Sequence, residues 1–295
     1  MRKEVIFIAL ISIAVSAMAQ ADHLMGVCSK DDFLSSSHSS WFTSGYEKYI
    51  PDPNTIESLK ALDLNPFTIE IFFGTWCGDT QRELPRFLKL MDRMGFPEEK
   101  VKLIGVGTGS QHKQSPNGET LGKGIFRVAT FVIYYNGEER NRITEYPVIS
   151  LEKDLYQIFK NQDYEPNFPS LKWVNYWLKD GDLSHSNTSV KGLAHFLKSR
   201  ITGPSELSSC AKVLFTQGLK DEAVNVFRIN NYIYYDQAST YMDLVQAYIK
   251  IEKSEEAIET IHRLLKLQND EATLKKALDY HYQAMTAMHA NASNE

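Results

Sequence analysis

The chain contains little cysteine and none of the clusters that mark several classes of functional site. Its 295 residues include three cysteines, and its eight histidines are scattered without the short His–Cys or His-Glu-x-x-His spacing of a metal site. No cluster of five or more Lys and Arg occurs, and the net charge is −5. We therefore predict no metal, no other cofactor and no nucleic-acid partner.

The sequence also lacks an apolar run long enough to cross a bilayer, which needs about 20 residues. Its longest candidate, residues 5–15, follows Arg2 and Lys3 and precedes the small-x-small pattern of residues 17–19. This arrangement predicts a signal peptide over residues 1–19 and no stable membrane span in the mature chain. We expect an exported protein in an oxidising compartment, for which a bacterial periplasm fits, and a secretory pathway elsewhere would fit the same pattern.

The most informative segment present is 68–85, TIEIFFGTWCGDTQRELP. Its first six residues are mostly β-branched and aromatic, which favours a largely buried strand that ends at Gly74. Apolar residues from Leu84 onward follow a helical period, so Cys77 is predicted at the N-terminus of a helix. Free backbone N–H groups and the helix dipole favour a thiolate there, whereas the Asp79 carboxylate opposes it.

This segment resembles the active site of the thioredoxin superfamily, whose usual motif is Trp-Cys-Gly-Pro-Cys between a strand and a helix. Trp76, Cys77 and Gly78 match the motif, and Pro85 lies where that family has a proline in its active-site helix. A second stretch, 124–138, resembles the family's cis-proline loop and the strand after it. The resemblance implies an active-site turn that also includes Asp79 and Thr80.

Three positions depart from the family pattern. Thr80 stands where the second cysteine would be, Ala129 stands at the cis-proline position, and Ile71 replaces a buried acid or amide. Because a cis bond before a non-proline residue costs roughly 2.5–4 kcal/mol, we expect the Val128–Ala129 bond to be trans. The resemblance implies that the backbone of Val128, Ala129 and Thr130 binds the substrate, and a trans bond would displace those groups.

A single thiol limits the chemistry that is available. Dithiol enzymes use a second cysteine to resolve the mixed disulfide that the first one forms, and Thr80 cannot do this. Cys77 is then expected to capture thiols or disulfides of exported proteins and peptides, exchange with small thiols or shuffle disulfides. Two simpler interpretations stay open: Cys77 is inert, and the Thr80 hydroxyl only caps a free N–H group at the helix start.

The other two cysteines are predicted to have different roles. Cys210 falls at a core position of a helix, where a buried structural thiol is the expected state. Cys28 lies in a polar N-terminal segment, 20–48, and is a hypothetical remote resolving thiol for Cys77. Such a disulfide would need Cα atoms within about 7 Å of each other.

Length and patterning predict two domains. The first, over residues 49–160, is an α/β thioredoxin-like domain with a central mixed sheet flanked by helices. Within it we expect a short strand near Tyr49, a helix ending near Leu64, strands at 68–73 and 101–106, a hairpin around Asn136-Gly137, and a last helix at 151–159. The loop 107–122 would overhang the active site, either as a gate or as a plain surface loop.

The second domain, over residues 205–290, is predicted to be all-α and resembles tetratricopeptide repeats. Glu222-Ala223 recurs as Glu256-Ala257 after 34 positions, which is the period of that repeat. The resemblance implies a protein or peptide partner on the helical repeats, although the helices could instead only brace the first domain. Residues 161–204 are interpreted as a helical bridge, with an aromatic cluster near Trp173 that either packs the domains together or forms a ligand surface.

Two functions from different classes follow from the sequence. The first is an exported thioredoxin-like protein with one active-site cysteine, which performs thiol–disulfide exchange or mixed-disulfide capture through Cys77. The second is a non-catalytic protein-binding adaptor that uses the thioredoxin-like body and the tetratricopeptide-like helices, in which Cys77 is incidental. The residues leave open whether Cys77 turns over, and they do not identify the partner.

Overall fold

The structure is a computed structural model that describes residues 23–184, 188–267 and 270–292. The predicted signal peptide, 1–19, lies outside the described residues. The first part of the described chain is an α/β unit with a five-stranded mixed sheet, and the second part is helical.

The sheet has the strand order β1-β3-β2-β4-β5. Its strands are β1 (Gly26–Cys28), β2 (Phe67–Phe73), β3 (Val101–Gly105), β4 (Thr130–Tyr135) and β5 (Glu138–Thr144). The central pair β2 and β3 is parallel, whereas β1 runs antiparallel to β3 and the pairs β2–β4 and β4–β5 are antiparallel. Because β1 belongs to this sheet, the α/β unit includes part of the segment 20–48.

Five helices accompany the sheet. They are α1 (Lys30–Leu34), α2 (Ser39–Lys48), α3 (Pro53–Lys60), α4 (Gly78–Met94) and α5 (Leu151–Phe159). The prediction of a strand near Tyr49 was wrong, since Tyr49 directly follows α2 and its hydroxyl donates to Glu152 Oε1 at 2.7 Å. The helix predicted at 151–159 is confirmed with the same limits.

Successive side chains of β2 point to opposite faces of the sheet and enter two different apolar clusters. Ile69, Ile71 and Phe73 point into a large cluster shared with α2, α4 and α5, and each is at most 1% exposed. Phe72 points to the opposite face, into a smaller cluster with Ile104 and four other apolar residues. The smaller cluster is the one that lies beneath Trp76 and Cys77.

The hairpin prediction is confirmed at its turn. Asn136 and Gly137 both have positive φ, 53° and 84°, which is the backbone that a two-residue turn between antiparallel strands requires. The second strand begins immediately afterwards, at Glu138, whereas the sequence pattern predicts a second hairpin strand over 142–146. The strand starts there because Glu138 already pairs with Tyr135, and the ladder skips one residue of β5 further along, between Ile133 and Tyr134.

The helical part begins with α6 (Ser170–Asp180) and α7 (Val190–Leu197) and continues with α8 (Pro204–Thr216), α9 (Lys220–Ile233), α10 (Ala238–Lys250), α11 (Ser254–Leu264) and α12 (Glu271–Ala292). Ala223 in α9 and Ala257 in α11, which occupy the same place 34 residues apart, are both fully buried. Small side chains at these points allow close packing within the helix pairs α8–α9 and α10–α11.

The two parts share a core. Phe126, from the loop before β4, is 2% exposed and packs in the helical cluster with Leu207, Cys210 and neighbouring residues of α8 and α9. Cys210 is fully buried, as predicted, and burial raises its pKa well above the usual range. Trp173 and Trp177 of α6 pack edge-on against Phe196 of α7 in the same cluster, so these aromatic side chains contribute to internal packing.

Candidate thiol site

Cys77 lies at the junction between the central strand and the longest helix of the α/β unit. It is the N-cap residue of α4, with an extended backbone (φ −92°, ψ 126°), and its side chain caps no helix N–H group. A tight turn brings it there, in which Cys77 N donates to Gly74 O at 2.8 Å. The thiol is free and the residue is half-buried, so Cys77 combines a helix start with access to solvent.

The thiol faces the backbone of the loop before β4. Cys77 Sγ donates to Val128 O at 3.0 Å, and the Val128–Ala129 bond is cis. The trans bond expected from the energetic cost of a cis bond before alanine was therefore wrong. Hydrogen bonds on both sides hold the segment in this path: Thr130 Oγ1 donates to Arg127 O at 2.7 Å, and Glu145 N donates to Ala129 O at 2.6 Å. The structure thus brings the predicted segment 128–130 to Cys77.

Trp76 and Asp79 flank the thiol and are held by neighbours. Trp76 Nε1 donates to Val106 O at 3.3 Å, and its ring lies so close to Gly74 that a Cβ at that glycine would come within 2.6 Å of it. Asp79 forms an ion pair with Arg82 at 2.7 Å. This ion pair partly offsets the repulsion that the Asp79 carboxylate would exert on a thiolate.

Thr80 is fully buried beneath the turn. Its hydroxyl accepts from Gly74 N at 3.3 Å, at the end of β2. The hydroxyl therefore satisfies a free N–H group, as one interpretation of the sequence had it, but the N–H belongs to the strand end and not to the helix. Gly78, by contrast, is exposed, and a Cβ there would meet nothing within 4 Å.

Cys28 is not brought to Cys77. It lies in β1 opposite Leu103, and it packs with the cluster on the α4 face of the sheet, whereas Cys77 packs on the other face. Both thiols are free. Burial, assisted by the Asp32 carboxylate, raises the pKa of Cys28 to about 11. Cys28 lies on the far side of the sheet from Cys77, so it could act directly as the resolving thiol only if the sheet opened.

The sequence did not single out Lys113, which binds the loop before β4, the same loop that faces the thiol. This lysine lies in the loop 107–122 with φ 55° and is 9% exposed. Its ammonium donates to Phe126 O at 3.0 Å and to Ser209 Oγ of α8 at 2.7 Å. Burial, and then the nearby Arg127, lower the pKa of Lys113 to about 8. No spacing in the sequence marks this lysine, because its partner Ser209 is 96 residues away.

Two broader features of the described residues bear on function. No group of three or more His, Cys, Asp or Glu side chains among them is placed to hold a metal ion. Likewise, no helix within the described ranges has the length and apolar character needed to cross a membrane.

Comparisons of the chain with protein-family models, with curated proteins and with solved structures found no match. The functional argument therefore depends on the sequence and the structure of the chain itself.

Proposed function

We propose that this chain is an exported thioredoxin-like protein whose single thiol, Cys77, exchanges with disulfides of other proteins or of small molecules. The observation that carries the proposal is the position of Cys77 Sγ: at the start of a helix, half-buried, and 3.0 Å from the Val128 carbonyl oxygen. A thiol beside the free N–H groups of a helix start is in a reactive environment, whereas structural cysteines are buried like Cys210. The predicted leader supports export to a compartment in which disulfides persist.

The proposed step is a thiol–disulfide exchange. The Cys77 thiolate attacks one sulfur of a partner disulfide, forms a Cys77–partner disulfide and releases the other partner sulfur as a thiolate. One S–S bond forms and one breaks, so no net oxidant is needed. A second thiol, from the partner or from a small molecule, then attacks the mixed disulfide and returns Cys77 to its reduced form.

The surroundings of Cys77 support capture over rapid release. Thr80 has no sulfur and is fully buried, and Cys28 packs on the opposite face of the sheet. A mixed disulfide at Cys77 should therefore persist until an external thiol arrives. The backbone of Val128 and Ala129 lies beside the thiol, where an extended partner segment could pair with it.

The test uses 2-hydroxyethyl disulfide and intact-mass spectrometry on the full chain in its native state. We expect one mercaptoethanol adduct, mapped to Cys77, in the wild type and in the Cys28→Ser variant, and none in Cys77→Ser. Added thiol should remove the adduct. A native protein in which Cys77 reacts no faster than it does in the urea-unfolded chain would contradict the proposal.

A specific observation favours the second candidate, a protein-binding adaptor. A cavity of about 290 Å³ lies between the loop 107–122 and the helices α8, α9 and α10. Its walls combine the apolar Phe215 and Phe227 with two lysines, Lys212 and Lys250. Lys212 pairs with Asp243 at 3.0 Å, whereas the Lys250 ammonium lies over the Phe215 ring and forms no ion pair within the described residues. Such a wall suits a partner segment with acidic and aromatic side chains.

Anisotropy of a fluorescein-labelled peptide of alternating Glu and Phe distinguishes the two functions. The adaptor function predicts binding that Cys77→Ser leaves unchanged and that Lys250→Glu weakens at least tenfold, with the exposed Lys191→Glu as the matched control. Binding that Lys250→Glu leaves intact, or no binding at all, would argue against the adaptor and leave the thiol proposal standing.

A further inference from the structure

A second cleft lies at the outer edge of the sheet, beside the segment that faces Cys77. Its volume is about 380 Å³, within the range of small-molecule sites. It lies between β5, the loop before β4 and the chain from Tyr164 into α6. Arg127 and Thr130, on either side of the cis bond, contribute to its wall.

The wall of this cleft carries more basic than acidic side chains, in a chain whose net charge is −5. It contains five cations and one acid: Arg127, Arg140, Arg142, Lys172, Lys179 and Glu139. Three of the cations are neutralised by carboxylates, through the pairs Arg127–Glu145, Arg142–Glu139 and Lys172–Glu165. Lys179 forms no ion pair with any residue that the structure describes, which leaves its positive charge uncompensated at the cleft. The Arg140 guanidinium, by contrast, stacks on the Tyr135 ring, 3.9 Å from Cζ to the ring centroid, and donates to Phe159 O at 3.4 Å.

Three hydrogen-bonding groups of the wall have no protein partner among the described residues. The Thr144 side chain is 3% exposed and its hydroxyl makes no hydrogen bond. The Asn175 amide, opposite Gly124, is also unbonded. Arg127 Nε is buried and unpaired, although the same guanidinium binds Glu145 at 2.8 Å. A buried donor without a partner is rare, and here the buried Arg127 Nε lies at the same cleft as the two other groups that lack a protein partner.

Apolar rings complete the cleft. Phe126 and Phe168 line it, and the Arg127 guanidinium stacks on the Phe168 ring with 4.0 Å from Cζ to the ring centroid. Tyr164 and two prolines add further apolar surface. A ligand that fits these features has an oxyanion for the donors and the positive charge of Lys179, and a compact apolar body for the rings.

We propose that this cleft binds a small organic anion, a carboxylate or phosphate ester that carries an aromatic or similarly compact apolar group. The anionic oxygens lie towards Thr144 and Asn175, and the apolar group packs against Phe126 and Phe168. The proposal does not depend on thiol exchange at Cys77, and either can fail without the other.

The test is isothermal titration calorimetry of the full chain with phenyl phosphate and with benzoate, which separates the two oxyanions. Inorganic phosphate tests the need for the apolar body, and benzyl alcohol tests the need for the charge. We expect at least one of the two aromatic anions to bind at least tenfold more tightly than either control compound. Equal binding of benzyl alcohol, or no binding of either aromatic anion at millimolar concentration, overturns the proposal.

Variants then locate the binding. Thr144→Val removes the unpaired hydroxyl with little change in shape, and Lys179→Gln removes an exposed charge, so neither threatens the fold. Each should weaken binding of the aromatic anion about tenfold, or about 1.4 kcal/mol. The exposed positions Thr68→Val and Lys191→Gln are the matched controls. Affinity that survives both cleft variants would place the binding elsewhere and refute the assignment.

Discussion

Replacing Lys113 with methionine should change the way in which stability depends on pH. The Lys113 ammonium is buried between Phe126 O and Ser209 Oγ, and burial lowers its pKa from 10.5 to about 8. Below pH 8 the native and the unfolded chain both carry the proton, so the native state bears the full cost of a buried charge. Between pH 8 and 10.5 the native lysine is neutral while the unfolded one keeps its proton. Stability contributed by this residue therefore rises with pH across that interval.

The magnitude follows from the same pKa difference. The interval from about 8 to 10.5 corresponds to about 3 kcal/mol, with a slope approaching 1.4 kcal/mol per pH unit in its middle. Lys113→Met has no titrating group, so subtracting its free energy of unfolding from that of the wild type cancels the titration of all other residues. The difference should increase by about 3 kcal/mol in favour of the wild type as the pH rises from 7.5 to 10.5. The lost hydrogen bonds add an offset that does not vary with pH.

The measurement is urea-induced unfolding followed by tryptophan fluorescence, in the presence of reductant, at pH steps of 0.5. The exposed Lys191→Met is the control, and its difference from the wild type should stay flat. A flat difference for Lys113→Met would show that the ammonium is not desolvated in the native state. A difference that falls with pH would mean that the buried environment favours the charge, which is the reverse of the physical argument.

Three further predictions concern the thiols and the glycines. At pH 8 only about one in a thousand Cys28 side chains is ionised, since its pKa is about 11, so iodoacetamide followed by peptide mass mapping should label Cys77 well before Cys28. Gly105→Ala should lower the free energy of unfolding by at least about 2 kcal/mol, because its Cβ would lie 2.1 Å from a backbone oxygen, whereas Gly78→Ala should change it by less than about 1 kcal/mol. Thr80→Cys should supply a resolving thiol, and the mixed disulfide formed with 2-hydroxyethyl disulfide should then be too short-lived to see by intact mass; an equally persistent adduct would count against thiol exchange in this turn.

Much of the α/β unit was predictable because its signals are local. Alternating apolar residues identify β2, helical spacing identifies α4, and the Asn136-Gly137 pair identifies the hairpin turn. Strand β1 carries no such signal, since three residues are too few to show a period and its place depends on pairing with β3. The residue that the ladder skips in β5 could not be predicted from the sequence either, because it depends on the register with β4.

At the candidate site, too, the features with a local sequence signal were predictable and those that depend on distant contacts were not. Cys77 at a helix start follows from local sequence, and the structure agrees. The cis bond at Ala129 does not, because a general energetic rule favoured the trans form and only neighbouring contacts decide the local geometry. Lys113 and Ser209 could not be paired in advance, since their contact exists only after the helical part has docked against the loop before β4.

The carbonyl of Phe126 links the α/β unit to the helical part of the molecule. It accepts from Lys113 Nζ and from Ser209 Oγ at 2.6 Å, two residues before the carbonyl that faces the thiol. A shortened chain that ends before α8 would leave this oxygen with one donor and uncover the Phe126 ring. Attempts to graft the thiol-bearing half onto another scaffold should therefore carry α8 along with it.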